Sequence, residues 1–461
     1  MTKIVCLGAG SHSFGLSTLL TLLHSERLRG SEICLVDINA ESLEIVTKLA
    51  NWLNSAWDCQ KVITSYSNHK EALPGADFVI SAIEVQPRET LWQKDFELTL
   101  KYGLRQPYAE NGGPGGFAHA ARNVNTVLAI AKDMETLCPQ AWFINFTNPM
   151  HRVCYLISAY TKIKVVGLCH QLGAGYAMAA KALAPDLGVK GADAFVSTHA
   201  DPKNHEPMKH MAQLGQQHLR IVAAGLNHFT WMLSLEDRRS GQDLYPLFRQ
   251  RFMQLEPQFE PLTREVFEAF SLFPIPGDEH LCEYLPWVSS ARTTPWARYD
   301  LSLYDWKLYA NLRDQQWAEV AADIERTENQ QSYNGAESEG AVEVIEGLLG
   351  DSDFYWEALN LPNHGLISNL PNSAIVELPG TLCKGMAKGM PIGELPKGVT
   401  GLLQREVMCS QLCVDAVVEG DHQMALQSLL LDPVIDDLGT ARQVLDDILT
   451  ENRAHLPQFW D

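Results

Sequence analysis

The chain has 461 residues, of which 46% are hydrophobic and 20% charged, and a formal net charge of −20. This is the balance of a soluble globular protein with room for two or three domains; unrelieved by any basic run, it argues against nucleic acid and anionic membranes as partners. No apolar stretch approaches the roughly 20 residues of a membrane span, no secretory signal precedes the first strand, and ten scattered cysteines fit reduced thiols in a cytoplasmic protein.

Lys3 to Leu7 reads as a buried strand running into Gly8-Ala9-Gly10-Ser11 and then into an apolar helix from about Phe14 to Ser25. Gly8 can take backbone angles closed to other residues, and Gly10 has no side chain to keep the main chain from phosphate oxygens. The helix points its N-terminal amides at an anion. Ser13 stands where the third glycine of a dinucleotide fingerprint normally sits, and Gly15 follows two residues later. A second strand ends in Asp37, whose carboxylate can take both ribose hydroxyls of an adenosine, which favours NAD over NADP. A merely structural tight turn is the competing reading.

Further strands are predicted at Ile33 to Asp37, Val62 to Tyr66, Asp77 to Ile83, Trp142 to Asn145 and Lys164 to Leu168, alternating with helical patterns. Such alternation predicts an α/β, parallel, doubly wound sheet of the Rossmann-like kind over residues 1–190. Its ligands sit beyond the carboxyl ends of the strands, which singles out Gly8 to Ser11, Asp37, Ser81 to Glu84, Asn145 to Pro149 and Cys169 to Gln171. After Gly191 the pattern becomes mixed α+β to the end of the chain, residues 191–461. It includes an aromatic strand at Phe229 to Met232, an exposed loop at Glu325 to Gly340 and helices from Pro396 to Leu449.

Glu110-Asn111-Gly112-Gly113-Pro114-Gly115-Gly116 is either a site of close backbone approach to a ligand, with Glu110 addressing sugar hydroxyls, or a flexible surface loop. Asn148 before Pro149 is a neutral donor and acceptor for hydroxyls, or a helix cap. Cys169-His170 offers a thiol and an imidazole to a soft-to-borderline divalent ion, or is structural. A second histidine must come from elsewhere. His228 is one source, and His199, His205 and His210 compete, with His199 not excluded by spacing. Gly277 to Pro286 gathers Asp278, Glu279, His280, Glu283 and Tyr284, either general acids and bases beside a metal or a solvated helix start.

Taken together these pieces resemble glycoside hydrolase family 4, the NAD- and divalent-metal-dependent glycosidases. The resemblance runs through Gly8 to Ser11, Arg88 ahead of Lys101-Tyr102-Gly103, Glu110, Thr147-Asn148-Pro149, Cys169-His170, Gly225 to Phe229 and Gly277 to Pro286. It continues through Asn369-Leu370-Pro371, Ala374 to Pro379 and Ala425 to Pro433. It implies redox-assisted elimination: NAD takes hydride from C3 of the sugar, the C2 proton becomes acidic, the aglycone leaves C1, water adds, and NADH returns the hydride. It implies a manganese-type ion on Cys169 and His228, Asp278 as the C2 base and His170 or a neighbouring carboxylate as the acid. Gly8, Gly10, Ser11, Phe14, Asp37, Ser81 and Glu84 become the expected cofactor contacts, and Arg88, Glu110, Asn148 and His280 the expected substrate contacts.

His228 stands 59 residues after Cys169, farther than family members place it, which implies an insertion between Asp193 and Arg220 unless His199 has taken the role. Gln171 does not match the phosphoglucosidase or galactosidase forms. Gly-Asp-x-His is closer to uronidases, so an anionic sugar, a uronate or sulfonated one, is the expected substrate, bound by His280 or Arg152. A homodimer or homotetramer is implied as well. The alternative is an NAD-dependent dehydrogenase of the lactate and malate type, which shares this sheet and needs no metal.

Overall fold

The computed structural model describes residues 1–11, 15–87, 90–104, 109–199, 201–288, 297–299, 301, 303–327, 329–333 and 340–460. Phe14 and Arg88 lie outside these residues, as do residues 328 and 334–339 of the loop predicted at Glu325 to Gly340; its described part includes a short turn of helix at Gln330–Tyr333 that buries Tyr333.

Twelve strands form one sheet: β1 (Lys3–Leu7), β2 (Glu32–Val36), β3 (Val62–Tyr66), β4 (Phe78–Ser81), β5 (Trp142–Asn145), β6 (Lys164–Gly167), β7 (Leu219–Leu226), β8 (Phe229–Asp237), β9 (Phe273–Pro274), β10 (Phe354–Pro362), β11 (Ile375–Cys383) and β12 (Met386–Gly389). Its order is β3-β2-β1-β4-β5-β6-β10-β11-β7-β8-β9, with β12 on β11. The first six strands are mutually parallel in the doubly wound order, as the sequence predicts. β1, β2, β4, β5 and β6 are mostly apolar because both faces are covered, whereas the edge strand β3 is partly exposed. Val5 and Leu7 pack with the long Gly113–Leu137 helix and the C-terminal helices, while Ile4 and Cys6 face the Gly15–His24 and Ala40–Ala56 helices. The C-terminal section is helical, with helices Lys397–Glu419, His422–Leu431 and Leu438–Glu451.

The antiparallel half joins the parallel half through a narrow seam. β6 meets β10 through the pair Gly167 and Asn360, and β11 meets β7 through the pair Glu377 and Gly225. In the stretch where an insertion is expected, a helix, Pro202–His218, leads into β7. None of the ten cysteines is in a disulfide, and no helix among the described residues is long and apolar enough to cross a membrane.

Candidate active site

The glycine turn after β1 is built for close approach. Gly8 has φ +76°, and a Cβ there would lie 2.3 Å from the carbonyl oxygen of Ala82 at the end of β4. Gly15 does the work of the missing third glycine: a Cβ on it would lie 2.3 Å from the oxygen of Ala9, so the helix starts hard against the turn. Gly10 donates its N–H to Asp37 Oδ2 at 2.8 Å, and Asp37 Oδ1 accepts from Asn39 N at 2.8 Å. Asp37 is thus fixed at the end of β2 with its carboxylate half-buried, and what the bare Cα of Gly10 admits is this carboxylate. Ser11 closes the turn by donating its N–H to Gly8 O.

Two expected cofactor contacts have protein partners. Ser81 is fully buried with Oγ 3.1 Å from Thr147 Oγ1, so its side chain locks β4 to the segment after β5 and does not reach a ligand. Glu84 keeps a half-exposed carboxylate, but both oxygens lie within 3.2 Å of Nε2 of the buried His119.

The glycine run is no surface loop. It is the buried start of the Gly113–Leu137 helix, and it is glycine-rich because protein approaches it. Glu283 Oε2 accepts the N–H groups of Glu110, Asn111 and Gly112 at 3.1, 2.7 and 3.1 Å, and Asp432 Oδ2 accepts that of Gly113 at 2.7 Å. Two acids from distant segments thus occupy the positive end of the helix. Glu110 Oε1 accepts from Asn148 Nδ2 at 2.9 Å and Oε2 from Asn111 Nδ2 at 3.1 Å, while Asn148 Oδ1 is buried with no partner among the described residues. The two residues expected to hold sugar hydroxyls therefore touch, and they leave one acceptor unused.

Cys169 and His228 meet. Cys169 follows β6, His228 sits with φ +60° in the two-residue turn between β7 and β8, and Sγ lies 3.3 Å from Nε2. The strained backbone of a buried non-glycine residue marks a position held for its side chain. Burial first, then the neighbouring His280, His170 and His151, keep the His228 pKa well below the ordinary value. The ring is therefore neutral, the form that ligates a metal, and its Nδ1 has no partner among the described residues. His170 beside it is exposed.

His280 stacks on His228, with ring centroids 4.3 Å apart and planes within 6°. Ligand atoms of Glu110, His228 and His280 all lie within 4.8 Å of one another. Parallel stacked rings, however, cannot aim two in-plane lone pairs at one ion. The geometry thus places Cys169 Sγ beside His228 Nε2, and Glu110 and His280 beside the same imidazole. A thiol and a neutral imidazole fit a divalent transition ion. His280 Nδ1 lies 3.1 Å from Glu283 Oε1. A carboxylate can only accept, so Nδ1 carries the proton and Nε2 is left as the basic nitrogen. Burial opposes protonation of His280, but the bond to Glu283 outweighs it and raises the pKa above the ordinary value.

Asp278 has a different job from the one the sequence suggests. It is fully buried, Oδ1 accepts Thr263 N at 2.7 Å and Oδ2 accepts Leu262 N at 2.9 Å, so it caps the Pro261–Phe270 helix. Its own N–H donates to Glu260 Oε2. His199 groups with this pair, its ligand atom and theirs within 4.8 Å of one another, instead of with Cys169. Arg152 is also consumed: it is 1% exposed and its guanidinium meets Glu406, Ser410 and Cys413 on the Lys397–Glu419 helix, so it does not address substrate.

Sequence reasoning missed Glu377, Asn360 and Asp432 as parts of this machinery, and it singled out Glu283 as an acid or base beside a metal and not as the acceptor of three backbone N–H groups. Glu377 left a readable signal, a lone acid in the apolar run Ile375-Val376-Glu377-Leu378, where a buried carboxylate has to find donors.

A doubly wound sheet, a glycine turn closed by an acid and a thiol–imidazole pair beside the same crevice define a dinucleotide-dependent metalloenzyme in outline. The model of the family 4 glycosyl hydrolases matches residues 3–184, that of their C-terminal domain matches residues 223–435, and the chain belongs to this family. The unmatched interval between the two ranges contains the Pro202–His218 helix. The chain is 28% identical to an alpha-glucosidase of Erwinia rhapontici over 495 residues, covering 99% of each. It is also 28% identical to an alpha-galacturonidase of Bacillus subtilis over 469 residues, covering 97% of this chain and 96% of the relative. Among solved structures, a putative glucosidase, lplD, of Bacillus subtilis superposes with a TM-score of 0.79 at 25% identity, covering 97% of this chain and all of the other. A 6-phospho-alpha-glucosidase from gut microorganisms, solved with NAD and Mn2+, superposes with a TM-score of 0.78 at 21% identity, covering 99% of each. Membership that extends through the C-terminal domain favours a glycoside hydrolase over the lactate or malate type of dehydrogenase.

Proposed function

We propose that the chain hydrolyses the glycosidic bond of an anionic glycoside, a uronide or sulfosugar, using NAD and a divalent ion of the manganese type. The observation that carries this reading is the 3.3 Å approach of Cys169 Sγ to His228 Nε2 at the end of β6. Bound at this crevice, the two groups supply a hydride acceptor and a Lewis acid for sugar oxygens. The Gly8–Ser11 turn and Asp37 hold the dinucleotide, and Cys169 and His228 hold the ion.

Glu110 and Asn148 grip sugar hydroxyls, with Asn148 Oδ1 accepting from one of them. His280 Nε2 takes the proton from C2, because its Nδ1 proton is already committed to Glu283. This replaces the expected Asp278, whose two oxygens each hold a backbone N–H. His170, exposed at the cleft, gives a proton to the departing oxygen. The anionic substrate is supported by the alpha-galacturonidase relative and by Gly277-Asp278-x-His280. We read the assembly as a homodimer or homotetramer, which light scattering checks.

The test is turnover of a panel of nitrophenyl glycosides and glycuronides with manganese and substoichiometric NAD. Product in excess of NAD, with deuterium from solvent at C2, is expected for a glycuronide. Product that never exceeds NAD would overturn the hydrolase reading.

A further inference from the structure

Cys169 and His228 belong to strands that are not neighbours. In the order β6-β10-β11-β7 three interstrand steps separate β6 from β7, about 14 Å at the usual spacing. One row of residues crosses this gap: Gly167 on β6, Asn360 on β10, Glu377 on β11 and Gly225 on β7. The row contains the pairing that joins β6 to β10 and the pairing that joins β11 to β7. Glu377 stands in it with 2% exposure, and its Oε2 accepts from Asn227 Nδ2 at 2.7 Å and from Asn360 Nδ2 at 2.8 Å.

Each amide leads to one half of the metal pair. Asn227 is the other residue of the turn that carries His228. Asn360 faces Gly167, also reaches its carbonyl oxygen at 3.3 Å, and so holds the strand end from which Cys169 emerges two residues later. Gly167 itself has no room for a side chain, since a Cβ there would lie 2.9 Å from Asn360 Cβ. A buried carboxylate costs several kcal/mol unless donors compensate it, and here the partners are two neutral amides. An apolar residue would fill the strand without that cost.

We infer that Glu377 is a positioning residue for the cation: one carboxylate oxygen ties the Cys169 strand end to the His228 turn through Asn360 and Asn227, and a carboxylate is a stronger acceptor for that tie than an amide. This rests on the metal reading above. Groups of this kind, one step behind the ligands, commonly control metal affinity by 10- to 100-fold.

Co2+ titration of the full chain, followed through the thiolate-to-cobalt absorption band, tests it without reference to turnover. Glu377→Ala should weaken Co2+ binding by about 10- to 100-fold. Glu377→Gln, which keeps the volume and removes the charge, should weaken it by at least several-fold while the metal-free protein melts close to the wild type. If Glu377→Ala does not fold, Glu377→Gln decides. A purely structural Glu377 would lower the melting temperature and leave the Co2+ affinity of the folded protein unchanged, and equal affinities would overturn the inference. A wild-type chain with no thiolate band, or a Cys169→Ser variant that keeps it, would instead sink the metal reading and this inference with it.

Discussion

The carbonyl oxygen of Glu283 lies 2.5 Å from the point that a Cβ on Gly112 would occupy. At the same time the Glu283 side chain takes the Gly112 N–H on one oxygen and His280 on the other. Glycine at 112 thus lets one acid seat the start of the Gly113–Leu137 helix and aim an imidazole at the metal pair. Gly112→Ala, whose φ of −113° any residue adopts, must push Glu283 away. The expected cost is about 1–3 kcal/mol of stability together with a fall in kcat larger than the fall in the folded fraction. Thermal melts and active-site titration check it; an alanine variant with wild-type kcat would show that Glu283 does not aim His280.

The parallel half of the fold was legible because its strands, the exposed edge strand β3 apart, are buried on both faces and bounded by glycine and polar turns, so each predicted strand lies within two residues of the observed one. The thiol–imidazole pair was legible for a different reason: both residues interrupt apolar strand ends, where a polar side chain has to serve something. The acids were harder to sort. Asp278, Glu283 and Glu110 carry the same chemistry in sequence, and what separates them is which donors each one meets, backbone N–H groups for the first two and the side-chain amides of Asn148 and Asn111 for Glu110. Those N–H groups belong to segments 15 to 173 residues away, a distance over which periodicity carries no information. The same limit hid Glu377, whose amide partners lie on two other strands.

Arg152 pairs with Glu406, and removing it leaves a buried carboxylate with His151 and Ser410 as its side-chain partners among the described residues. Arg152→Met should destabilise the protein by about 3–5 kcal/mol and leave the KM of the folded fraction for a glycuronide within about threefold. Urea denaturation and Michaelis kinetics on the same sample check both halves. A stable variant with a strongly raised KM would restore Arg152 as an anion contact.

Asp278 is expected to behave as a cap and not as a base. Asp278→Ala removes both acceptors from the start of the Pro261–Phe270 helix and should cost about 2 kcal/mol or more. Molecules that remain folded should still exchange the C2 proton of substrate for deuterium within about tenfold of the wild-type rate. Mass spectrometry of recovered substrate reads this directly. Loss of exchange by 100-fold or more in a folded variant would return the base role to Asp278.

Asp432 sets a pH dependence of stability through its cap on Gly113. Its carboxylate accepts Gly113 N on one oxygen and Val434 N on the other. Burial, and then the charge of Glu406, nevertheless push its pKa up from 3.8 to about 7. Between those two values the folded chain holds a proton that the unfolded chain has released. The contribution of Asp432 is therefore fully present below the unfolded pKa and is lost as pH rises through the folded one. The slope is at most about 1.4 kcal/mol per pH unit. Asp432→Asn cannot titrate, so the difference in melting temperature, wild type minus variant, should fall steadily from pH 4 to pH 7 and flatten above pH 8. Parallel melting profiles for the two proteins across that range would mean that Asp432 is ionised throughout and that the cap on the helix start is an ordinary charged one.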